Sequence, residues 1–261
     1  MSPSDTSDDG AYGAAFADVY DSWYADVTDV DATVDTLVRL SSGGNLLELG
    51  VGTGRIAVPL AMRLQGRARL VGVDSSEAML DVWRAKLDDN PIARSRSTAV
   101  HGDMASFVDP GKFNVVFCTF NTFFNLPTHE SQRQCLRNAA SSLTPGGAVV
   151  LEFAVFSDDV TEPADVDVIE TCERRPRPDG SEVTSVSRID RAHHTAEGTY
   201  VEASGRSRSW AIRWATPPMI DEMAHEAGLV CVDRWEDFSR RPIHPDSARQ
   251  VCVLRRRLRG T

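Results

Sequence analysis

The feature that most constrains this chain is a glycine-rich turn between a short apolar strand and a helix. Residues 46–55 read LLELGVGTGR, and the apolar residues that follow predict a helix. A helix that begins directly after a strand points its first backbone N–H groups, and the positive end of its dipole, beyond the strand. Gly50, Gly52 and Gly54 allow positive φ and close approach of a ligand. The stretch predicts either a simple tight turn or a nucleoside site.

The spacing of the glycines distinguishes between two kinds of nucleotide site. A dinucleotide fingerprint has the pattern G-x-G-x-x-G. Counted from Gly50, its third glycine would fall on Arg55. Glu48 precedes the turn at a position where a carboxylate suits an ammonium group better than a pyrophosphate. These features disfavour a dinucleotide site, and an NAD-dependent oxidoreductase stays open as an alternative.

Strands and helices alternate along most of the chain. This pattern predicts an α/β fold with a doubly wound, Rossmann-like seven-stranded sheet. Strands are expected near residues 46–49, 69–73, 98–101, 113–117, 148–153, 229–235 and 250–254. Helices are expected over 33–40, 76–86 and 128–143, and after Thr216 as N-cap. Residues 15–27 carry aromatic side chains at helical spacing and predict one amphipathic helix, a lid over the site.

Residues 157–215 differ in character from the rest. Polar and apolar residues alternate over 183–189, and Arg177-Pro178-Asp179-Gly180 predicts a turn between antiparallel strands. The segment is expected to form a small sheet that caps the substrate or pairs two subunits. The predicted organisation is a disordered tail (1–11), the α/β domain with its lid helix (12–156), the inserted sheet (157–215), and a C-terminal helix with the last two strands (216–261).

The charge and the cysteine and histidine content of the chain restrict the classes of molecule that it can bind. The formal charge is −10 and the pI is about 5.1, which disfavours nucleic acids and anionic membranes. The five cysteines form no C-x-x-C pair and the histidines form no metal set, so neither a disulfide framework nor a metal is expected. The acidic N-terminus and the lack of a long apolar run predict a cytoplasmic protein without membrane association.

Four signals occur together in a fixed order. They are Glu48 with the glycine turn, Asp74 at the end of the second strand, Gly102-Asp103-Met104 after the third, and the LTPGG turn (143–147) before the fifth. Together they resemble the class I S-adenosylmethionine (SAM) dependent methyltransferases. The resemblance covers residues 46–154 and the last two strands, and it implies SAM as the cofactor.

The resemblance implies a role for each of these residues. The three glycines would face the methionine part of SAM, Glu48 its ammonium group, and Asp74, with Ser75 beside it, the ribose hydroxyls. The adenine would contact Met79, Asp103 and the Met104 backbone N–H. Structural roles stay open, because Asp103 can cap a turn and Met79 can belong to the core.

The loop after the fourth strand is expected to lie beside the transferred methyl. Phe120 is predicted to form a wall and to contact the cofactor, and Asn121 is predicted to make a polar contact. Tyr20 or Tyr24 of the aromatic helix would face the sulfonium or the carboxylate, with Tyr24 also positioning the substrate. No general base is assigned, because methyl transfer depends mainly on alignment. His193-His194 is an alternative base for a hydroxyl acceptor.

Several stretches also resemble methyltransferases of natural-product pathways. They are YDSWYADV, the FNTFFNL loop and the sheet insertion. Such enzymes include aminosugar N-methyltransferases and peptide α-amine methyltransferases of the cypemycin type. The resemblance implies methyl transfer to an amine or hydroxyl of a small molecule or peptide, with a homodimer through the inserted sheet as one arrangement. A SAM-binding protein without catalysis is a further alternative.

Overall fold

The computed structural model describes residues 10–156 and 167–257, which form two sheets and the helices around them. The strands are β1 (Leu46–Leu49), β2 (Leu70–Asp74), β3 (Ser97–His101), β4 (Phe113–Cys118), β5 (Leu143–Ala154), β6 (Val168–Pro176), β7 (Glu182–Asp190), β8 (Thr195–Glu202), β9 (Ser207–Arg213), β10 (Leu229–Trp235) and β11 (Arg249–Arg256). The helices are α1 (Ala11–Phe16), α2 (Tyr20–Trp23), α3 (Val30–Ser41), α4 (Ala57–Arg63), α5 (Glu77–Asp88), α6 (Pro91–Arg96), α7 (His129–Ser142) and α8 (Pro217–Glu226), with a short 3-10 turn at Thr122–Asn125.

The central sheet has seven strands in the order β10-β11-β5-β4-β1-β2-β3. Its pairs are parallel except those that β11 makes with β5 and β10. The strand order reverses between β1 and β4, and open α/β sheets bind ligands at the carboxyl ends of the strands on either side of such a reversal. The predicted doubly wound α/β fold is confirmed.

Helices cover both faces of this sheet. One core contains apolar residues of α3, α4 and α5, and the other contains residues of α7 and α8. Trp83 of α5 is fully buried. A Cβ added at Gly54 or Gly72 would lie 2.0 or 2.6 Å from the Trp83 indole, so both glycines leave room for that ring. Gly54 therefore serves helix packing as well as the turn.

The described part of the inserted segment, from residue 167 on, forms a separate antiparallel sheet in the order β6-β7-β8-β9, as predicted, whereas residues 157–166 of the predicted insertion lie outside the described residues. Its inner face carries Val183, Tyr200 and Trp210, which pack against the N-terminal helices. Its outer face carries exposed valines, Val168 and Val201 among them.

The predicted helix over residues 15–27 is wrong. The chain forms two short helices instead, α1 and α2, with a turn between them. That turn lets Phe16 and Trp23 enter the same apolar cluster, and it brings Asp18 to Arg208 of β9. Helical spacing in the sequence does not reveal a partner almost two hundred residues away.

Other boundaries differ in smaller ways. Residues 1–9 of the predicted tail lie outside the described residues, and α1 begins at Ala11. Thr216 holds the N-cap position of α8, but its side chain makes no capping bond. Helix α6 was not predicted, and β5 begins at Leu143, earlier than expected. None of the helices in the described part of the chain is both long and apolar enough to cross a membrane.

Candidate functional site

A cavity of about 1050 Å³ opens at the carboxyl ends of the central strands. Its walls come from the glycine turn, the ends of β2 and β3, the N-terminal helices and the four-stranded sheet. Of the residues predicted from sequence, those that line it are Tyr20, Gly50, Gly52, Asp74, Ser75, Met79, Asp103 and Met104. Those outside the lining are Tyr24, Glu48, Gly54, Phe120 and Asn121.

The glycine turn has the backbone form that its sequence demands. Gly50 and Gly52 have φ of 70° and 55°. A Cβ added at Gly50 would lie 2.1 Å from Thr122 Cγ2, whereas one added at Gly52 would meet no atom within 4 Å. Gly52 lines the cavity, so its open side is space that a ligand can occupy beside bare backbone.

Asp74 fastens this turn to the start of α5. Its Oδ2 accepts from Gly52 N at 2.8 Å, and its Oδ1 accepts from Ser76 N at 2.9 Å. Burial raises the pKa of the Asp74 carboxyl, and these two N–H groups oppose that rise. Each oxygen keeps lone-pair capacity for a further donor, so the side chain can organise the turn and accept from ribose hydroxyls.

Glu48 lies behind the turn in β1 and is 3% exposed. Its Oε2 is buried and has no hydrogen-bond partner among the described residues. Burial raises the pKa of the Glu48 carboxyl well above its usual range, against the attraction of the Arg55 guanidinium. A buried carboxylate with a free oxygen suits a cationic donor such as an ammonium group.

The adenine end of the expected site lies beside β3 and α5. Met79 is buried, and Asp103 Oδ1 accepts from Ala105 N at 2.8 Å. Helix α1 covers this end closely, because a Cβ at Gly13 would lie 2.3 Å from Ser76 Cβ. An apolar side chain and a carboxylate on one wall fit the face and edge of a purine.

The loop after β4 is held in an uncommon backbone form. Phe120 and Asn121 have φ of 54° and 60°, which is costly for residues with a Cβ. Phe120 N donates to Glu152 Oε2 at 2.9 Å, and Asn121 Oδ1 accepts from Ala154 N. The Asn121 side chain thus bonds to β5 and does not line the cavity. Burial raises the pKa of the Glu152 carboxyl.

All four tyrosines of the chain belong to one cluster beside the cavity. The Tyr24 ring lies 5.0 Å from that of Tyr20 and 5.5 Å from that of Phe120, centroid to centroid. The hydroxyls of Tyr12 and Tyr200 lie close enough to that of Tyr24 to influence its pKa. Burial raises the pKa of Tyr24 to about 12, so the group is neutral near pH 7. The cluster offers aromatic faces and neutral hydroxyls.

Sequence reasoning missed several residues that line the cavity. They include Tyr12, Thr122, Ser187 and Trp210. Tyr12 stood next to the predicted tail, and Trp210 stood in the inserted sheet that was expected to cap the substrate or pair two subunits, without being singled out. His193 and His194 are not part of the lining. Within residues 10–156 and 167–257, no group of three or more histidine, cysteine, aspartate and glutamate side chains is arranged to hold a metal ion.

These features fit SAM. The space beside Gly52 is open to a ligand, and Glu48 Oε2 is buried without a hydrogen-bond partner among the described residues. Asp74 and Asp103 line the cavity with carboxylates where the ribose hydroxyls and the adenine amino group need acceptors. A nicotinamide dinucleotide would instead place a pyrophosphate near buried Glu48, where two negative charges would meet.

Comparisons with known proteins also indicate a methyltransferase. Residues 46–147 match the family described as a methyltransferase domain. The chain is 30% identical over 227 residues to the cypemycin N-terminal methyltransferase of a Streptomyces species, covering 84% of this chain and 85% of that protein. It is 29% identical over 155 residues to dTDP-4-amino-2,3,4,6-tetradeoxy-D-glucose N,N-dimethyltransferase from Saccharopolyspora spinosa, covering 56% of this chain and 57% of that protein.

A solved structure extends the similarity to nearly the whole fold. The CcbJ methyltransferase from Streptomyces caelestis superposes with a TM-score of 0.84 at 32% identity, covering 95% of this chain and 98% of that one. These relatives do not favour the oxidoreductase alternative. The chain belongs to the class I SAM-dependent methyltransferases of the natural-product type.

Proposed function

We propose that this enzyme methylates an amine of a small-molecule or peptide acceptor bound between the cofactor turn and the four-stranded sheet. One observation carries the proposal: a single cavity is lined both by the residues expected to hold SAM and by residues of β8 and β9. The names of two relatives, an N-terminal methyltransferase and an N,N-dimethyltransferase, support an amine acceptor.

The cofactor residues are assigned as follows. Gly52 gives the methionine part access to bare backbone, Glu48 accepts from its ammonium group, and Asp74 accepts from the ribose hydroxyls. Met79 packs on the adenine and Asp103 accepts from its amino group, with Ser75 and the Met104 N–H beside it. SAM supplies an electrophilic methyl group when bound, so the protein need not activate one.

The chain's own part in the reaction is alignment and exclusion of water. Well-oriented reactants supply about 7–11 kcal/mol of a barrier. Phe120 is held in place by Glu152 and packs against Tyr24, so this aromatic pair supports the glycine turn from behind the cavity lining, with Arg55 over the Phe120 ring. No histidine or cysteine is among the described residues that line the cavity. An amine, which reacts in its neutral form, needs no strong base, whereas a hydroxyl acceptor would.

The inserted sheet is assigned two roles. Its inner face caps the acceptor and selects it. Its outer face pairs two subunits, because Val168 and Val201 lie on that face with exposures of 36% and 37%, and neither lines the cavity. Val201→Asp should then give a monomer by light scattering, while wild type gives a dimer. Identical masses would exclude this interface.

The test of the function is turnover on matched acceptors. Amino acids, dipeptides and aminosugars are compared with the alcohols of the same shape, and formation of S-adenosylhomocysteine is measured. Amines are expected to react and alcohols not. Reaction of alcohols alone would refute the amine assignment, and tight S-adenosylhomocysteine binding without turnover on any acceptor would favour a non-catalytic SAM-binding protein.

A further inference from the structure

The turn between β6 and β7 directs an arginine inward. Arg177 N donates to Ser181 O at 2.8 Å and Gly180 N donates to Arg177 O at 2.9 Å, which closes the turn. The Arg177 guanidinium carbon lies 4.6 Å from the ring centroid of Trp23 and 4.3 Å from that of Tyr200. An arginine at a hairpin tip ordinarily extends into water, and this one packs against two aromatic rings.

Two of its nitrogens have no partner. Arg177 Nε and Nη2 are buried and make no hydrogen bond within the part of the chain that the structure describes. The rings attract the charge through their faces, but they do not accept the in-plane N–H bonds. Nε–H and Nη2–H lie on one edge of the guanidinium, the edge that grips a carboxylate with two parallel bonds.

The acidic side chains nearby are engaged elsewhere. Asp179 accepts from Ser181 and from Ser22 of α2. Glu202 and Asp18 both pair with Arg208. The Arg177 guanidinium therefore has no paired carboxylate among the described residues.

A second orphaned donor lies on the same face of the sheet. Trp210 Nε1 is buried without a partner, and Trp210 lines the cavity. The Tyr200 ring stands between the two donors, 6.3 Å from Trp210 by ring centroids. Arg177 and Tyr200 lie outside the cavity lining, and Tyr200 stands next to Trp210, which is part of it. The described inner face of the sheet thus offers unused donors and a cation, a surface for an oxygen-rich anion.

We propose that Arg177 binds a carboxylate of the methyl acceptor and that Trp210 donates to a different oxygen of the same molecule, so that the substrate is an amine that also carries an acidic group, such as a peptide with a free C-terminus or an amino acid. This inference rests on the proposed function. The same chemistry is present in the methionine carboxylate of SAM, for which Arg55 beside the glycine turn is the nearer cation.

The test compares Arg177→Met, which keeps an unbranched apolar stem and removes the guanidinium, with Arg174→Met, which removes an exposed arginine of the preceding strand β6. The acceptors are dipeptides with a free C-terminus and the same dipeptides as C-terminal amides. In wild type and Arg174→Met, KM for the dipeptide with a free C-terminus is expected to be about 10- to 100-fold lower than KM for its amide, because a hydrogen bond between charged groups changes affinity by about that factor. In Arg177→Met the two KM values should converge. Equal preference for the acid in all three proteins would overturn the proposal.

Two binding measurements separate the possible failures. Protein loaded with S-adenosylhomocysteine is titrated with glutarate or with glutaramide at constant ionic strength, and the melting midpoint is followed. Glutarate, but not glutaramide, should raise the melting midpoint of wild type and of Arg174→Met. Neither compound should raise that of Arg177→Met, and this result does not depend on whether any dipeptide is methylated. A response in Arg177→Met equal to wild type counts against the site. If Arg177→Met weakens S-adenosylhomocysteine but not 5′-methylthioadenosine, the carboxylate belongs to the cofactor and the acceptor assignment is wrong.

Discussion

Glu48→Gln isolates the buried carboxylate behind the glycine turn. The substitution keeps the shape of the side chain and removes its charge. In wild type, the free Oε2 is proposed to accept from the ammonium group of the cofactor. A hydrogen bond between charged groups is worth about 1.5–3 kcal/mol, so Glu48→Gln should weaken S-adenosylhomocysteine binding about 10- to 100-fold. Isothermal titration calorimetry measures this directly.

The same variant should change how stability depends on pH. Burial raises the pKa of Glu48 in the folded state, so the folded protein holds this proton at pH values where the unfolded chain, with a pKa of about 4.3, has lost it. The contribution of Glu48 is most favourable below that value and declines as pH rises toward the folded pKa. The slope reaches about 1.4 kcal/mol per pH unit within this window. Glu48→Gln lacks this decline, so its melting midpoint should fall less than that of wild type as the pH rises from the unfolded pKa toward the folded one.

The control is Glu222→Gln, an exposed glutamate of α8. It should leave both the affinity and the pH profile as in wild type. The reasoning is refuted if Glu48→Gln binds S-adenosylhomocysteine as tightly as wild type and its melting curve follows wild type across the pH range. A loss of affinity with no change in the pH profile would mean that Glu48 ionises in the folded free enzyme at the same pKa as in the unfolded chain, so that burial does not hold its proton.

Two further substitutions test the walls of the cofactor site. Asp74→Ala removes both the proposed ribose acceptor and the bonds to Gly52 N and Ser76 N; S-adenosylhomocysteine affinity should fall at least about 10-fold in calorimetry, and unchanged affinity in the folded variant would exclude the assignment. Gly52→Ala and Gly66→Ala both place a Cβ at positive φ with no atom within 4 Å, so each should cost about 1–2 kcal/mol of stability in urea unfolding. Only Gly52→Ala should also weaken cofactor binding, and equal affinities would mean that the open side of Gly52 does not face the ligand.

The central sheet and its cofactor turn were predictable from sequence because their determinants are local. A run such as LLEL encodes a buried strand, and the glycines that follow encode positive φ. Asp74 was found for the same reason, since the end of an apolar strand can be read from the residues around it. The topology of an open α/β sheet then brings these strand ends together.

The acceptor side was not predictable in the same way, because distant contacts determine it. Tyr12 enters the cavity because α1 and α2 fold back on the inserted sheet, and this packing depends on Arg208, which is 2% exposed. Asparagine is a residue type common in binding sites, yet the Asn121 side chain accepts a hydrogen bond from the backbone of β5. Neither fact has a signature within a few residues of sequence.

Residues 18–24 join the two halves of the site. On the cofactor side, Thr53 Oγ1 donates to Asp21 at 2.7 Å, and Arg55 Nη1 donates to Tyr24 O at 2.8 Å. On the sheet side, Asp18 pairs with Arg208 at 2.6 Å. Thr53 and Arg55 belong to the glycine turn itself, so a ligand that orders the turn also favours the packed position of this segment.

Arg208→Met tests whether that order passes from the cofactor turn to the sheet. In wild type, S-adenosylhomocysteine should slow amide exchange both in residues 14–27 and in the 176–182 hairpin, because Ser22 of the segment bonds to Asp179 of the hairpin and Arg208 of β9 holds the segment against the same sheet through Asp18. In Arg208→Met the first protection should persist and the second should weaken. Arg206→Met, which removes an exposed partner of the same Asp18, is the control and should behave as wild type. If the hairpin of Arg208→Met gains the same protection as that of wild type, the two halves are ordered independently, and if neither region responds to the ligand, residues 14–27 are scaffold rather than a lid.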